Sequence, residues 1–161
     1  MQAGKPRHVS FRVEESEQIP APGMTFGWAA MLPFVCGAIA VWMLRDAGSA
    51  VRPTIIWGGA VLAFLAGVRR GLSFRTPDGE NAAQIATMLS WFLLALAALV
   101  SPWPAVSLVL LIAGYISVAM LDPRAARRGE APLFFARLRP VQMLVPVASL
   151  SAVLLRVLLS G

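Results

Sequence analysis

The sequence predicts an all-α membrane protein in which five transmembrane helices form an antiparallel bundle. Two observations support this fold class. Hydrophobic residues make up 58% of the 161 residues and charged residues only 14%, whereas charged residues make up about 25% of ordinary soluble domains. The apolar residues are also concentrated in five stretches, each close to the roughly 20 residues that a helix needs to cross the hydrocarbon layer.

The first predicted element is a polar cytoplasmic tail, residues 1–23. Its sequence, MQAGKPRHVSFRVEESEQIPAPG, ends in two prolines and a glycine and shows no hydrophobic periodicity from which a core could be built. A signal peptide is the alternative interpretation, because the Ala-Ile-Ala sequence at 38–40 follows an apolar run and is typical of a cleavage site. The region before that run is unusually long and acidic for a signal peptide, which favours the tail.

Residues 24–161 are expected to form one transmembrane domain. The spans within it are predicted at residues 24–44, 54–72, 82–100, 104–121 and 141–159. Glycine, proline and charged residues, which end helices, fill the segments between the spans. Since the connections between the first four spans are short, consecutive spans are expected to pack antiparallel. Pro33 and Pro146 interrupt the first and last spans and are expected to kink them.

The distribution of basic residues predicts the orientation of the spans. Eleven basic residues fall on the side of the N-terminus and three on the other side. The eleven are Lys5, Arg7, Arg12, Arg69, Arg70, Arg75, Arg124, Arg127, Arg128, Arg137 and Arg139, and the three are Arg45, Arg52 and Arg156. Cytoplasmic segments carry the excess of Lys and Arg. The N-terminus is therefore predicted in the cytoplasm and the C-terminus outside, in a multi-pass protein of the bacterial inner membrane.

The net charge of +6 predicts the chemistry of the binding partners. Nucleic-acid binding needs a basic face on a soluble module, whereas here the arginines alternate with hydrophobic segments, so no nucleic-acid partner is expected. Basic residues at the ends of membrane spans attract anionic lipid headgroups. Membrane lipids are therefore the expected partners, together with another membrane protein or a second copy of the chain.

The predicted spans contain almost none of the residue types that carry most catalysis. No Asp or Glu lies within a span, the single histidine, His8, lies in the tail, and the single cysteine, Cys36, has no second cysteine with which to form a metal site or a disulfide. Proton and cation pathways usually need acids or histidines inside the membrane, and nucleophilic catalysis needs a nucleophile beside a base. We therefore expect no enzyme activity, no catalytic or metal-binding residues and no cofactor.

The second span carries a row of small residues at four-residue spacing, Gly59, Ala63, Gly67 and Gly71. In lipid, small residues let helix backbones approach closely and gain van der Waals contact. The row is therefore predicted to be a helix-packing face. The simpler alternative is that glycine and alanine are frequent in membrane helices.

Two adjacent arginines, Arg69 and Arg70, interrupt the end of the second span in the sequence VLAFLAGVRRGLSF. In the simplest interpretation both reach the headgroups and fix the orientation of the helix. If the small-residue row faces the bundle, a rotation of about 100° per residue points Arg70 into the bundle and Arg69 away from it. Asp122 is the only acid that directly adjoins a span at that membrane face, and a desolvated charge there needs a partner. A pair of Arg70 with Asp122 is the more specific hypothesis.

Four motifs resemble one known family. They are MLPFV early in the first span, AFLAGVRRGLSF at the end of the second, LDPRAARRGEAP after the fourth and FFARLRP at the start of the fifth. The chain resembles the small bacterial and mitochondrial membrane proteins of unknown function that include transmembrane protein 69. Arg69 matches the basic position of the family's second-span motif, whereas Arg70 stands where a tryptophan is usual. The resemblance implies a five-helix inner-membrane protein with no established biochemical activity.

From these observations we expect a non-enzymatic inner-membrane protein that packs against lipids or a membrane partner. One alternative is a small-solute carrier or channel, in which the face from Gly59 to Gly71 and Arg70 line a path that attracts anions. Another alternative is an accessory or assembly factor of a respiratory membrane complex. A carrier needs a water-accessible face on the second span, whereas the other two functions need a face that packs.

Overall fold

The structure is a computed structural model that describes residues 25, 27–44, 46, 48–74, 81–129 and 135–160. Five α-helices, and no strands, are found among these residues. They are α1 Leu32–Met43, α2 Gly48–Ser73, α3 Ala82–Val100, α4 Pro104–Arg127 and α5 Phe135–Ser160. The polar tail predicted for residues 1–23 lies outside the described residues.

Four of the helices, α2 to α5, are long and apolar enough to cross a membrane, and α1 is part of a shorter apolar segment, Gly27–Met43. Large apolar side chains also cover the outside of the helices, and Phe64, Leu144 and Leu159 are 69%, 64% and 68% exposed. An outer surface of this kind suits contact with lipid tails. The prediction of an all-α protein whose helices are apolar enough to span a membrane is confirmed.

The first apolar segment is interrupted close to Pro33. A helical turn at residues 27–29 precedes α1, which begins at Leu32 with Pro33 in its first turn. Proline has no N–H and fits the first turn of a helix better than its interior. Just before α1, the Ala30 carbonyl accepts a hydrogen bond from Trp57 Nε1 of α2 at 3.0 Å. This bond ties the interrupted segment to α2.

The helices on either side of the last loop extend beyond the spans predicted from the sequence. α4 continues past Leu121 to Arg127, and α5 begins at Phe135, well before the predicted fifth span. A span is predicted to end where the apolar residues end, whereas the backbone hydrogen bonds of a helix can continue into polar sequence. Asp122 and Arg139 therefore lie on helices and not in loops.

Each helix packs against the next one along the chain, α1 also packs against α5, and α2 contacts α4 across the bundle. α1 and α2 run antiparallel, because Gly37 of α1 packs against Thr54 of α2, while Ala30, nearer the start of the chain, meets Trp57, further along α2. Trp42 Nε1, near the end of α1, donates a hydrogen bond to the Ala152 carbonyl of α5 at 3.2 Å. This contact closes the ring of helices.

The centre of the bundle lies between α2 and α4, which run parallel as alternating helix directions require. Gly58 of α2 packs against Leu111 of α4, and further along both helices Gly114 of α4 packs against Leu62 of α2. A Cβ atom at Gly58 would lie 2.9 Å from Leu111 Cδ1, and one at Gly114 would overlap Leu62. The two glycines therefore allow the close approach that small residues give membrane helices.

Tyr115 of α4 brings three helices together at this centre. Its ring packs edge-on against that of Phe34 of α1, with the ring centroids 5.5 Å apart and the planes at 86°, which is a favourable aromatic geometry. Its hydroxyl donates a hydrogen bond to the Gly58 carbonyl of α2 at 2.7 Å. Both rings are fully buried, so α1, α2 and α4 hold one another in a fixed register.

Substitution of Gly114 by valine is expected to destabilise the bundle by about 1 to 3 kcal/mol, the usual effect of forcing extra atoms into a packed interior. The added side chain would overlap Leu62. Gly67→Val is the matched control, because no described atom lies within 4 Å of a Cβ placed at Gly67. Thermal unfolding in detergent measures both variants, and equal melting temperatures would contradict the close approach at Gly114.

Candidate functional site

The buried charged side chains of the described residues lie together at one end of the bundle. Asp122 of α4 lies between Arg69 of α2 and Arg139 of α5. Arg69 Nη1 is 3.8 Å from Asp122 Oδ1, and Arg139 Nε is 3.3 Å from Asp122 Oδ2. The side chains of Arg69, Asp122 and Arg139 are only 7%, 6% and 11% exposed. We refer to these three residues as the buried ion triad.

The helical period explains why these three charges face inward. Residues that are three, four or seven positions apart lie on the same face of a helix. Each member of the triad has a fully buried apolar or aromatic side chain at such a spacing on its own helix. These side chains are Leu62 before Arg69, Tyr115 before Asp122 and Met143 after Arg139.

A buried glutamine extends the site towards the start of the first apolar segment. Arg139 Nη1 donates a hydrogen bond to Gln142 Oε1 at 3.4 Å. The Gln142 amide nitrogen lies 2.8 Å from the place that a Cβ at Gly27 would take. A larger residue at position 27 would require this amide to shift. Parts of α2, α4, α5 and the turn before α1 therefore meet at the same end of the bundle.

The geometry of Asp122 indicates what the triad does chemically. Each carboxylate oxygen of Asp122 lies within ion-pair distance of a different arginine, although Arg69 Nη1 and Arg139 Nε make no hydrogen bond among the described residues. A buried charge is costly unless it is paired, and removal of one partner from a buried pair is strongly destabilising. The triad is thus suited to hold three helices together. No cluster of three or more potential metal-ligating side chains was found in the part of the chain that the structure describes.

Arg70 lies on a different face of α2 from Arg69. Its guanidinium stacks on the ring of Phe74, 4.3 Å from the ring centroid, and its Nη1 lies 3.5 Å from Ser73 Oγ. Two predictions are therefore wrong: that Arg70 points into the bundle to pair with Asp122, and that Arg69 points away. Arg69 is the residue of the two that meets Asp122.

The small-residue row gave the wrong inward direction because four-residue spacing drifts around a helix by about 40° per step. Relative to the buried Leu62, Gly59 lies at about 60° and Gly71 at about 180°. A Cβ at Gly59 would lie 2.6 Å from a side chain of α3, whereas no described atom lies within 4 Å of a Cβ at Gly67 or Gly71. Ala63, between them, is half-buried against the core. The row therefore starts on the inside of the bundle and ends on the outside.

The residues of this site and its supporting interface that were not predicted from the sequence include Arg139, Gln142, Gly58 and Gly114. In the sequence, Arg139 serves only to predict the orientation of the spans. Its position just before the predicted fifth span, at the same membrane face as Asp122, was the signal for its role in the triad. Gly58 and Gly114 were not identified as packing residues. The signal for Gly58 was its four-residue spacing from Leu62, which places both on the face that contains Arg69.

The sequence matches one protein family over most of this structure. A family profile described as "Protein of unknown function (DUF3429)" matches residues 19–155, which include α1 to α4, most of α5 and the whole buried ion triad. The chain belongs to the DUF3429 family. No curated protein and no solved structure matches the chain of this DUF3429 protein.

Asp122→Asn is expected to destabilise this DUF3429 protein by roughly 3 kcal/mol or more, because two buried arginines lose the carboxylate between them. Arg69→Gln is expected to be strongly destabilising as well. Arg70→Gln is expected to change stability little, because the half-buried Arg70 lies outside the triad. The melting temperature in detergent measures all three variants. Equal effects of the Arg69 and Arg70 substitutions would contradict the assignment of Arg69 to the triad.

A triple variant distinguishes the effect of the buried charges on stability from the effect of side-chain packing at the triad. Arg69→Met, Asp122→Leu and Arg139→Met together are expected to recover most of the stability that Asp122→Asn loses, because an apolar set of similar volume needs no buried charge. A triple variant as unstable as Asp122→Asn would mean that packing, and not charge pairing, decides the stability of this end.

Proposed function

We propose that this DUF3429 protein is a non-enzymatic, multi-pass protein of the bacterial inner membrane that acts by binding lipids and another membrane protein. The observation that carries the proposal is the division of α2 into two faces. The inner face ends at Arg69, which forms an ion pair with Asp122. The outer face carries Gly67 and Gly71, where no described atom lies within 4 Å of a Cβ position.

The outer face of α2 has the chemistry of a surface that binds another helix. Gly67 and Gly71 have the Gly-xxx-Gly spacing at which two membrane helices approach closely. Phe64, one turn before Gly67, is 69% exposed, and the Arg70 guanidinium lies on the Phe74 ring beside the glycines. A second helix placed here gains backbone contacts that a bulkier face would prevent. An accessory or assembly role in a larger membrane complex and self-association both use this face.

A small-solute carrier or channel has less support than a binding protein. Fully buried side chains, among them Phe34, Trp91 and Tyr115, fill the interior of the bundle, and the charges of the buried ion triad face one another. Transport of a polar solute needs hydrogen-bonding groups along a path that water can enter. Of the face from Gly59 to Gly71 that was expected to line such a path together with Arg70, Gly67 and Gly71 lie on the outer surface and Gly59 packs against Leu99 of α3.

The proposed location and orientation follow from the charge pattern. The end of the bundle that holds the buried ion triad also carries Arg124, Arg127 and Arg128, and an excess of arginine is typical of the cytoplasmic side. We therefore place this end, and the N-terminus, in the cytoplasm. We also propose that the chain belongs to the group within this family that includes transmembrane protein 69, whose motifs four stretches of the sequence resemble.

The double variant Gly67→Leu/Gly71→Leu is expected to abolish binding of the partner, because the new side chains hold a second helix away from α2. Cross-linking in membranes, followed by purification in mild detergent and mass determination, measures the complex and separates a second copy from a different protein. Ala97→Leu, a similar enlargement on the exposed surface of α3, is the matched control and is expected to keep the partner. A wild-type protein that purifies as a monomer without a stoichiometric partner would contradict this part of the proposal.

Labelling of single cysteines tests the orientation and the transport alternative in one series. In a Cys36→Ala background, a membrane-impermeant thiol reagent added to intact spheroplasts is expected to label Ser160→Cys, and to label Arg128→Cys only after permeabilisation. Ala63→Cys and Gly67→Cys are expected to stay unlabelled on both sides. Reversed labelling of the first two positions would overturn the orientation, and labelling of the last two would favour a carrier.

A further inference from the structure

A cleft lies at the opposite end of the bundle from the buried ion triad. It is formed by the start of α2, the start of α4 and the end of α5, and its volume is about 180 Å³. Val51 and Ile55 of α2 and Val157 of α5 supply apolar walls. Two arginines, Arg52 and Arg156, line the same cleft. It thus combines an apolar surface with positive charge at one membrane boundary.

Neither arginine of the cleft has an acidic partner among the described residues. Arg52 Nη2 donates a hydrogen bond to the Leu99 carbonyl at 3.1 Å. Arg156 is half-buried, and its side chain makes no hydrogen bond or ion pair with the described part of the chain. The neighbouring acid, Asp46, accepts a hydrogen bond from the Gly48 N–H at 3.1 Å and does not line the cleft. The cleft therefore carries positive charge that the nearby described residues do not neutralise.

Both arginines lie near the ends of apolar helices that are long enough to cross a membrane. Arg52 follows the first residue of α2 by four positions, and Arg156 precedes the last residue of α5 by four, so each lies about 6 Å along its helix from that end. A guanidinium at this level binds phosphate oxygens through two parallel N–H donors, with a geometry that an ammonium group does not offer. Each of the two arginines that line the cleft is therefore chemically suited to bind a phosphate.

The size and lining of the cleft favour a lipid over a soluble anion. Sites for whole small molecules usually enclose roughly 300 to 1,000 Å³, so this cleft suits the phosphate and glycerol of a larger molecule whose remainder lies outside. An apolar lining is suited to the start of an acyl chain and not to a hydrated ion, and among Val51, Ile55 and Val157 it is Val157 that is accessible for such contact, since the other two are buried.

We propose that this cleft binds the phosphate of an anionic phospholipid through Arg52 and Arg156, with the acyl chains along the apolar outer surface of the bundle. The site specifies the lipid-binding part of the proposed function. It lies at the other end of the bundle from Gly67 and Gly71. Loss of lipid and loss of a protein partner can therefore be observed separately.

The test measures lipid retained by the full-length protein. Purified protein is incorporated into nanodiscs of phosphatidylcholine that contain a minor fraction of phosphatidylglycerol, and native mass spectrometry counts the phosphatidylglycerol that stays bound after release. Arg52→Gln/Arg156→Gln is expected to lower the affinity at least about tenfold, the effect of losing one charge-assisted hydrogen bond. Arg156→Lys, which keeps the charge but not the paired donors, is expected to give an intermediate loss.

Arg124→Gln/Arg127→Gln is the matched control, since it removes the same charge from exposed positions at the other end of the bundle. It is expected to retain phosphatidylglycerol. Equal lipid loss in both double variants would overturn the proposal in favour of general surface electrostatics. Melting temperatures measured without lipid show that each variant is folded.

Competition separates the two sources of phosphate. Inorganic phosphate or glycerol phosphate is expected to displace bound phosphatidylglycerol poorly, because neither supplies an acyl chain for the apolar walls. Displacement by inorganic phosphate at concentrations similar to those of the lipid would overturn the lipid assignment. If the cleft variants keep the lipid while Gly67→Leu/Gly71→Leu loses its protein partner, the cleft proposal fails and the partner-binding part of the proposed function stands.

Discussion

The pairing of Asp122 with Arg69 and Arg139 is the constraint on which the arrangement of α2, α4 and α5 depends. A membrane helix that is apolar on all sides gains little from presenting one face rather than another to its neighbours, because lipid tails are as apolar as the protein interior. A buried carboxylate removes this freedom, since it is stable only against its cationic partners. With Arg69 turned towards Asp122, Leu62 lies against Gly114 and Gly67 faces outward.

The triad fixes the rotation of α2 about its own axis. If Arg70 replaced Arg69 in the triad, α2 would have to turn by about 100°. That turn would move Leu62 out of the contact with Gly114 and Gly58 away from the hydroxyl of Tyr115, which now donates to its carbonyl at 2.7 Å. The charged contact at the end of the bundle and the close packing at its centre therefore require the same face of α2. The outward position of Gly67 and Gly71 follows from both.

The sequence predicted which segments form helices, because stretches of about 20 apolar residues are distinct from the Gly, Pro and Arg that separate them. It did not predict which face of α2 is inside. In a soluble helix the polar face marks the outside, whereas the exposed Phe64 here is as apolar as the buried Leu62, so the glycines were used as the marker and gave the wrong direction. The cleft could not be predicted either, because Arg52 and Arg156 are far apart in sequence and line the same cleft only in the folded bundle.

The two ends of the bundle use arginine in opposite ways. At the triad, Arg69 and Arg139 lie on either side of the Asp122 carboxylate, which comes from a third helix. The charges of these three residues fix the positions of the helices relative to one another. At the cleft, Arg52 and Arg156 have no such carboxylate among the described residues and lie beside apolar walls that open to the outside. A guanidinium near a membrane boundary is stable when it reaches water, a carboxylate or a lipid phosphate. The first end supplies the carboxylate from within the chain, whereas the second leaves its two arginines to water or to the lipid phosphate that we propose there.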